Sequence, residues 1–244
     1  MKYQGSKNRI ASDIIPIMTN GMKKGDYFIE LFCGGCNLID KIPQDFKRIA
    51  NDNNEYLIEM WKSLQNGWNG PEVIDRELYT KARDAFNKKD YSTFSKGELG
   101  WIGHMASFNG SFFSGGYSGH NVKISDGKSR DYISESIRNI KAQIPLIKNI
   151  EFMSEEYDKI ILPPSDRCVI YCDIPYQNVK QYSTSKNFDY NRFYEWVRTH
   201  KKEGYKIYVS EYDMPSDFKV IWEKPILCSI NQTITKKPIE KLFV

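Results

Sequence analysis

The tetrapeptide Asp173-Ile174-Pro175-Tyr176 follows directly on an apolar run over residues 167–172. A continuous apolar run of this kind reads as a buried parallel strand. Such a strand delivers the Asp173 carboxylate to the carboxyl edge of an α/β sheet, where ligands bind. Pro175 has no N–H and biases Ile174 toward an extended conformation. The Ile174 carbonyl is then free to point where the carboxylate points, and Tyr176 adds a flat face beside both. Two acceptors next to a stacking surface suit an exocyclic amino group on a planar base. A plain strand-ending turn is the alternative.

Two more constellations fall at strand ends. Residues 27–32 are aromatic and β-branched, read as a buried strand, and run into Cys33-Gly34-Gly35-Cys36. Glycines there either let a backbone approach a ligand closely or make a tight turn. Asp52 comes after a second short strand, 48–50. A carboxylate in that place accepts hydrogen bonds from ribose hydroxyls or caps the next helix, and the two roles are compatible. Cys33 and Cys36 have no second pair at zinc-ribbon spacing, and Cys168 and Cys172 sit inside the apolar run, so no metal site is expected.

The elements that must hold these groups alternate along the chain. Helical spacing of apolar residues covers 8–20, the stretch from Tyr56 to Leu64, 131–143 and 188–202; residues 70–108 read as helical and strongly polar. Strands are expected at 151–153, 167–172, 205–210 and 218–222, with an extended stretch running to Val244. Residues 109–130 form a long Gly/Ser/aromatic loop, a kind that is functional or disordered. Strands separated by helices at each end, around a helical and loop-rich middle, argue an α/β sheet interrupted by an insertion. With 40% hydrophobic and 27% charged residues in 244, a disordered, collagen-like or disulfide-scaffold chain is excluded. The formal charge of +4 permits a polyanionic partner without requiring one. No apolar stretch approaches the ~20 residues that span a bilayer, and no signal-peptide core precedes the first helix, so a soluble, cytoplasmic protein without a membrane partner is expected.

Four segments in this order resemble one family. Tyr3-Gln4-Gly5-Ser6-Lys7 is similar to the N-terminal Y/W-x-G-x-K pattern of the Dam-type (D12 class, phage- or prophage-like) site-specific DNA adenine-N6 methyltransferases. Phe28-Ile29-Glu30-Leu31-Phe32-Cys33-Gly34-Gly35 resembles their cofactor loop, Asn51-Asp52 their ribose-binding acid, and Asp173-Ile174-Pro175-Tyr176 their D-P-P-Y. The resemblance covers essentially the whole chain. It implies a Rossmann-like S-adenosylmethionine-dependent methyltransferase sheet with an inserted, mainly helical target-recognition domain. The catalytic domain would comprise residues 1–54 and 150–244, and the recognition region 55–149. By the same resemblance Tyr3, Lys7, Phe32, Gly34, Asp52, Phe152 and Asp173 line the S-adenosylmethionine pocket, with Lys7 on the methionine carboxylate, Asp52 on the ribose and Phe152 against the adenine. Asp173, Ile174, Pro175 and Tyr176 would be catalytic, methylating N6 of an adenine flipped out of double-stranded DNA. Asn109-Gly110 resembles the family's loop after F-N-G, and Asn109, Lys123, Lys128 and Arg130 are expected to contact DNA. Ile174 departs from the usual first proline but keeps the backbone carbonyl that carries its role. A cytosine-N4 or protein-glutamine methyltransferase, usually with Ser or Asn in place of Asp173, is the nearest rival. A catalytically silent DNA-binding protein of the same fold is the other, and the intact Asp173, Pro175 and Tyr176 argue against it.

Overall fold

Short β-branched and aromatic runs become the strands of a mostly parallel sheet, and the computed structural model describes residues 1–124, 127–177, 187–225 and 238–244. The first half of the chain forms α1 (Ala11–Met18), β1 (Tyr27–Glu30), β2 (Lys47–Asn51), α2 (Glu55–Gln65), α3 (Arg76–Lys88) and α4 (Lys96–Ala106). After these come β3 (Val122–Lys123), β4 (Ser129–Arg130), α5 (Tyr132–Gln143), β5 (Ile150–Met153) and β6 (Cys168–Asp173). The chain closes with α6 (Tyr190–Lys202), β7 (Lys206–Glu211), β8 (Val220–Pro225) and β9 (Ile239–Phe243). Residues 125 and 126 of the 109–130 segment, and 226–237 of the closing extended stretch, lie outside the described residues.

The elements sort into two compact units. A sheet unit comprises Ile10–Cys33, Ile42–Asn53 and Glu155–Val244, and a helical unit Met1–Arg9, Gly34–Lys41 and Asn54–Ser154. In the sheet unit the strands run in the order β2-β1-β6-β7-β9-β8. β1 pairs in parallel with β2 on one side and β6 on the other, β6 pairs in parallel with β7, and β9 is antiparallel to both β7 and β8. The chain thus leaves β1 toward β2 and later returns to its other side with β6. That reversal is the switch point at which open α/β sheets bind ligands, and it makes this a Rossmann-like sheet. β6 is buried from Cys168 through Cys172 because a central parallel strand has no solvent face. α6 packs Phe193, Tyr194 and Val197 inward, and Asp189 caps it by accepting from the Arg192 N–H at 3.0 Å.

The helical unit departs from the sequence reading in two places. Residues 70–108 split into helices of different character, and α4 is buried along nearly its whole length rather than strongly polar. Its glycines fall at i, i+3 and i+6. A Cβ added to Gly100 would lie 2.2 Å from the Tyr56 carbonyl oxygen of α2, and one on Gly97 2.8 Å from the Ser63 hydroxyl. The two helices approach so closely that only glycine fits, and Trp61 and Trp101 are completely buried in the unit. Ser95 and Glu98 start α4 with a capping box. The 109–130 segment is the second departure, because its aromatic half is packed. Phe113 is buried, Phe112 and Phe113 cluster with Phe86, and the Tyr117 hydroxyl donates to the Ile74 carbonyl at 2.8 Å. The basic half forms the β3–β4 hairpin.

Candidate active site

Strand order gathers the sheet unit's candidate residues at the carboxyl ends of neighbouring strands. Glu30 of β1 is level with Ala50 of β2 and Tyr171 of β6. Phe32 comes two residues after β1, Asp52 directly follows β2 and Asp173 ends β6, so all three stand at the carboxyl ends of neighbouring parallel strands. Phe32 is half-buried and meets Tyr157 and Phe188 at 5.7 Å and Phe193 at 6.0 Å between ring centroids. Asn51 fixes the end of β2: its amide donates to the Leu31 and Glu155 carbonyls and its oxygen accepts from the Glu155 N–H, each at 3.0 Å. Asp52 follows directly after β2 and is half-exposed. The helix-capping role considered for Asp52 belongs instead to Asn54, whose side chain accepts from the Leu57 N–H at 3.3 Å.

The turn after β6 is fastened from several directions. The Tyr190 hydroxyl donates to the Pro175 carbonyl at 2.7 Å, and the Tyr176 hydroxyl donates to the Glu240 carboxylate. The Gln177 N–H donates to one oxygen of Glu211 at 3.1 Å, while the Tyr212 N–H donates to the other at 2.7 Å. One carboxylate therefore ties the turn after β6 to the turn after β7. Burial, followed by the nearby Asp173 and Glu240 charges, holds the Glu211 carboxyl up at about 7 against the opposing pull of these two amides. Burial and the Asp173 and Glu240 charges also raise the Tyr176 phenol well above its ordinary range, so it stays a neutral donor. Ile174 is 2% exposed, which gives the isoleucine a packing reason to stand where the family has proline. Sequence reasoning missed Glu211 and Glu240. Glu211 ends a buried strand as Asp173 does, and that parallel was a usable signal; Glu240 has none.

The helical unit holds the remaining candidates. Lys7 is 8% exposed, in a short helical turn, with its ammonium 3.2 Å from the Gly5 carbonyl. Gly34 has φ +44°, and a Cβ there would fall 2.5 Å from Cε1 of Tyr3. A Cβ on Gly35 would fall 2.6 Å from Cβ of Tyr3. The Gly34 carbonyl accepts from the Trp61 indole at 3.3 Å, and Gln143 holds the Gly35 and Cys36 carbonyls at 3.0 Å. Tyr3 and the Gly34-Gly35 turn are thus one packed feature. Phe152 is buried and stacks on Trp61 with ring planes 7° apart. His104, also buried, donates from Nδ1 to the Gly110 carbonyl at 3.1 Å, and burial pushes it down to about 4, so it is neutral. Asn109 is exposed with φ 56°, in the turn that precedes the packed aromatics. Lys123 and Lys128 are exposed on or beside the hairpin and make no ion pair among the described residues. Arg130 differs: its guanidinium makes two 2.8 Å bonds to Glu135 and lies over the Tyr132 ring.

Cys33, Cys36, Cys168 and Cys172 are buried free thiols, and burial holds Cys168 up at about 12. Among the described residues no group of His, Cys, Asp and Glu is arranged to hold a metal ion, and no helix is long and apolar enough to cross a membrane.

No curated protein sequence matches the chain. Among solved structures it is similar to the rRNA methyltransferase aviRa from Streptomyces viridochromogenes, with 9% identity, a TM-score of 0.42, and coverage of 97% of this chain and 84% of that one. The family described as D12 class N6 adenine-specific DNA methyltransferase matches residues 3–220. That span takes in Tyr3, the Gly34-Gly35 turn, Asp52 and the Asp173–Tyr176 turn, and by it the chain belongs to the D12 class of N6 adenine-specific DNA methyltransferases.

Proposed function

We propose that the chain transfers a methyl group from S-adenosylmethionine to N6 of an adenine flipped out of double-stranded DNA. The observation that carries this reading is the fastened Asp173–Tyr176 turn at the carboxyl end of β6. The N6 lone pair of adenine is delocalised into the ring, so the amine is a poor nucleophile. Asp173 and the Ile174 carbonyl accept its two N–H bonds, which lets the nitrogen pyramidalise and aim its lone pair. Rate then comes from positioning and fixed charge, without a covalent enzyme intermediate. Extrusion of the base costs a few kcal/mol, and stacking on Tyr176 returns roughly 1–3 kcal/mol.

The residues present fit the cofactor. The Gly34-Gly35 turn lies against Tyr3 with no space for a side chain, and Asp52 stands half-exposed directly after β2. When bound, S-adenosylmethionine supplies a methyl group activated by a sulfonium. In the sheet unit Asp52 accepts from the ribose hydroxyls, and Phe32 lends apolar surface. In the helical unit Lys7 pairs with the methionine carboxylate, Tyr3 and Gly34 shape the backbone cradle, and Phe152, backed by Trp61, packs against the adenine ring. Residues 55–149 recognise the target, with Asn109, Lys123 and Lys128 meeting the DNA and Arg130 held in reserve by Glu135.

Transfer of tritium from labelled cofactor is the test, with adenine-containing duplex DNA, adenine-free duplex DNA and protein as acceptors. Label is expected in adenine alone. Asp173→Ala should lower turnover by roughly 10²-fold or more while the protein stays folded. Label in cytosine or glutamine, or an Asp173→Ala variant with near-normal turnover, overturns the reading.

A further inference from the structure

Glu240 lies beyond the 3–220 span that carries the family match, yet it reaches the Asp173–Tyr176 turn inside that span. It belongs to β9, is 4% exposed, and accepts from the Tyr176 hydroxyl across 64 residues of sequence. A buried carboxylate needs donors, and a phenol bound to one makes a charge-assisted bond, about twice as strong as a neutral one. The same tyrosine ring meets Tyr212 edge-on, 81° between planes and 4.7 Å between centroids. The backbone beside each of these tyrosines is fixed as well, since Glu211 binds the N–H groups of Gln177 and Tyr212 together. The Tyr176 ring is therefore held at its hydroxyl, at one edge and at its adjoining peptide, and turning it about χ1 breaks the first two of these restraints at once.

We propose that Glu240 is a positioning residue for the methyl transfer, orienting the Tyr176 ring before the target base arrives so that the base stacks in one pose beside Asp173. The inference rests on the proposed adenine-N6 activity. An unpinned ring still offers a stacking face, but it must be ordered during the reaction, so the loss falls on turnover rather than on cofactor binding.

The test compares the full chain with Glu240→Gln, Glu240→Ala, Tyr176→Phe and the Tyr176→Phe/Glu240→Ala double variant, using the tritium assay on duplex DNA. Duplexes carrying 2-aminopurine at the target position report stacking of the extruded base. Glu240→Ala and Tyr176→Phe are each expected to lower kcat about 10-fold or more, with the KM for S-adenosylmethionine unchanged. The 2-aminopurine signal should brighten in both as stacking loosens. Glu240→Gln keeps an acceptor and should stay within about threefold of the unmodified chain. The double variant should be no worse than the weaker single, because both remove one bond. Equal loss in Glu240→Gln and Glu240→Ala, additive losses in the double variant, or normal kcat in Tyr176→Phe overturns the proposal. If Glu240→Ala does not fold, Glu240→Gln and Tyr176→Phe decide it. An unmodified chain that labels no adenine overturns the adenine reading and this inference together, whereas an active chain with indifferent variants overturns only the inference.

Discussion

Replacing the two glycines of the cofactor turn one at a time separates two kinds of constraint. At Gly34 an alanine would meet the edge of the Tyr3 ring at 2.5 Å while holding φ at +44°. The left-handed backbone costs about 1–2 kcal/mol for a residue with a Cβ, and overpacking about 1–3 kcal/mol more. The sum, about 2–5 kcal/mol, corresponds to a fall in Tm of roughly 4–20 °C for a chain of this length. The ring edge is removable, so in a Tyr3→Ala background the steric part should vanish and about 1–2 kcal/mol remain. Gly35 behaves differently. Its added Cβ would meet Cβ of Tyr3 at 2.6 Å and the Asn37 amide at 2.7 Å. Alanine at position 3 keeps that Cβ, so the penalty of about 1–3 kcal/mol should be the same with either residue there. Thermal unfolding of the two alanine variants, in both backgrounds, reads the coupling directly. A Gly34→Ala cost indifferent to the Tyr3 ring, or a Gly35→Ala cost relieved by Tyr3→Ala, would refute the packing account of this turn.

Asp52→Ala should weaken S-adenosylmethionine binding by about 1.5–3 kcal/mol, the range for hydrogen bonds to a charged group, as titration calorimetry can read. Unchanged affinity would remove Asp52 from the ribose site. Replacing Lys123 and Lys128 with alanine should flatten the log–log salt dependence of DNA binding by about 0.9 for every phosphate that is no longer neutralised. Adding Arg130→Ala should change that slope less, since Glu135 already neutralises the guanidinium, and a slope untouched by the lysine pair would place the DNA elsewhere.

The strands that carry the candidate site were legible because β1 and β6 are dense in β-branched and aromatic residues, because the short Arg48-Ile49-Ala50 run stops at Asn51-Asp52, and because Asp173 ends a continuous apolar run. Reading 70–108 as one polar stretch averaged an exposed α3 with a buried α4, and so hid the glycine stripe at Gly97, Gly100 and Gly103. The 109–130 segment looked like a loop because glycine and serine mask its aromatics, which pack only because α3 and α4 offer them a surface. Asp52 and Asn54 are both good capping residues two positions apart, and only the start of α2 chooses between them. Glu240 was invisible for a different reason. Its partner is set by strand order, and nothing in Ile239-Glu240-Lys241 distinguishes a buried acceptor from a solvated edge.

The order β7-β9-β8 has a consequence for synthesis. β9 emerges after every other strand yet must slot between two that are already made, so β7 and β8 cannot pair with each other and wait for it. A nascent chain can complete β1, β2, β6 and β7 while Tyr176 still has no carboxylate to bind, and domains fold largely as their segments emerge. The Tyr176 hydroxyl is thus fastened last, when residue 240 arrives, and a ribosome-bound chain would carry the parallel part of the sheet with an unfinished site.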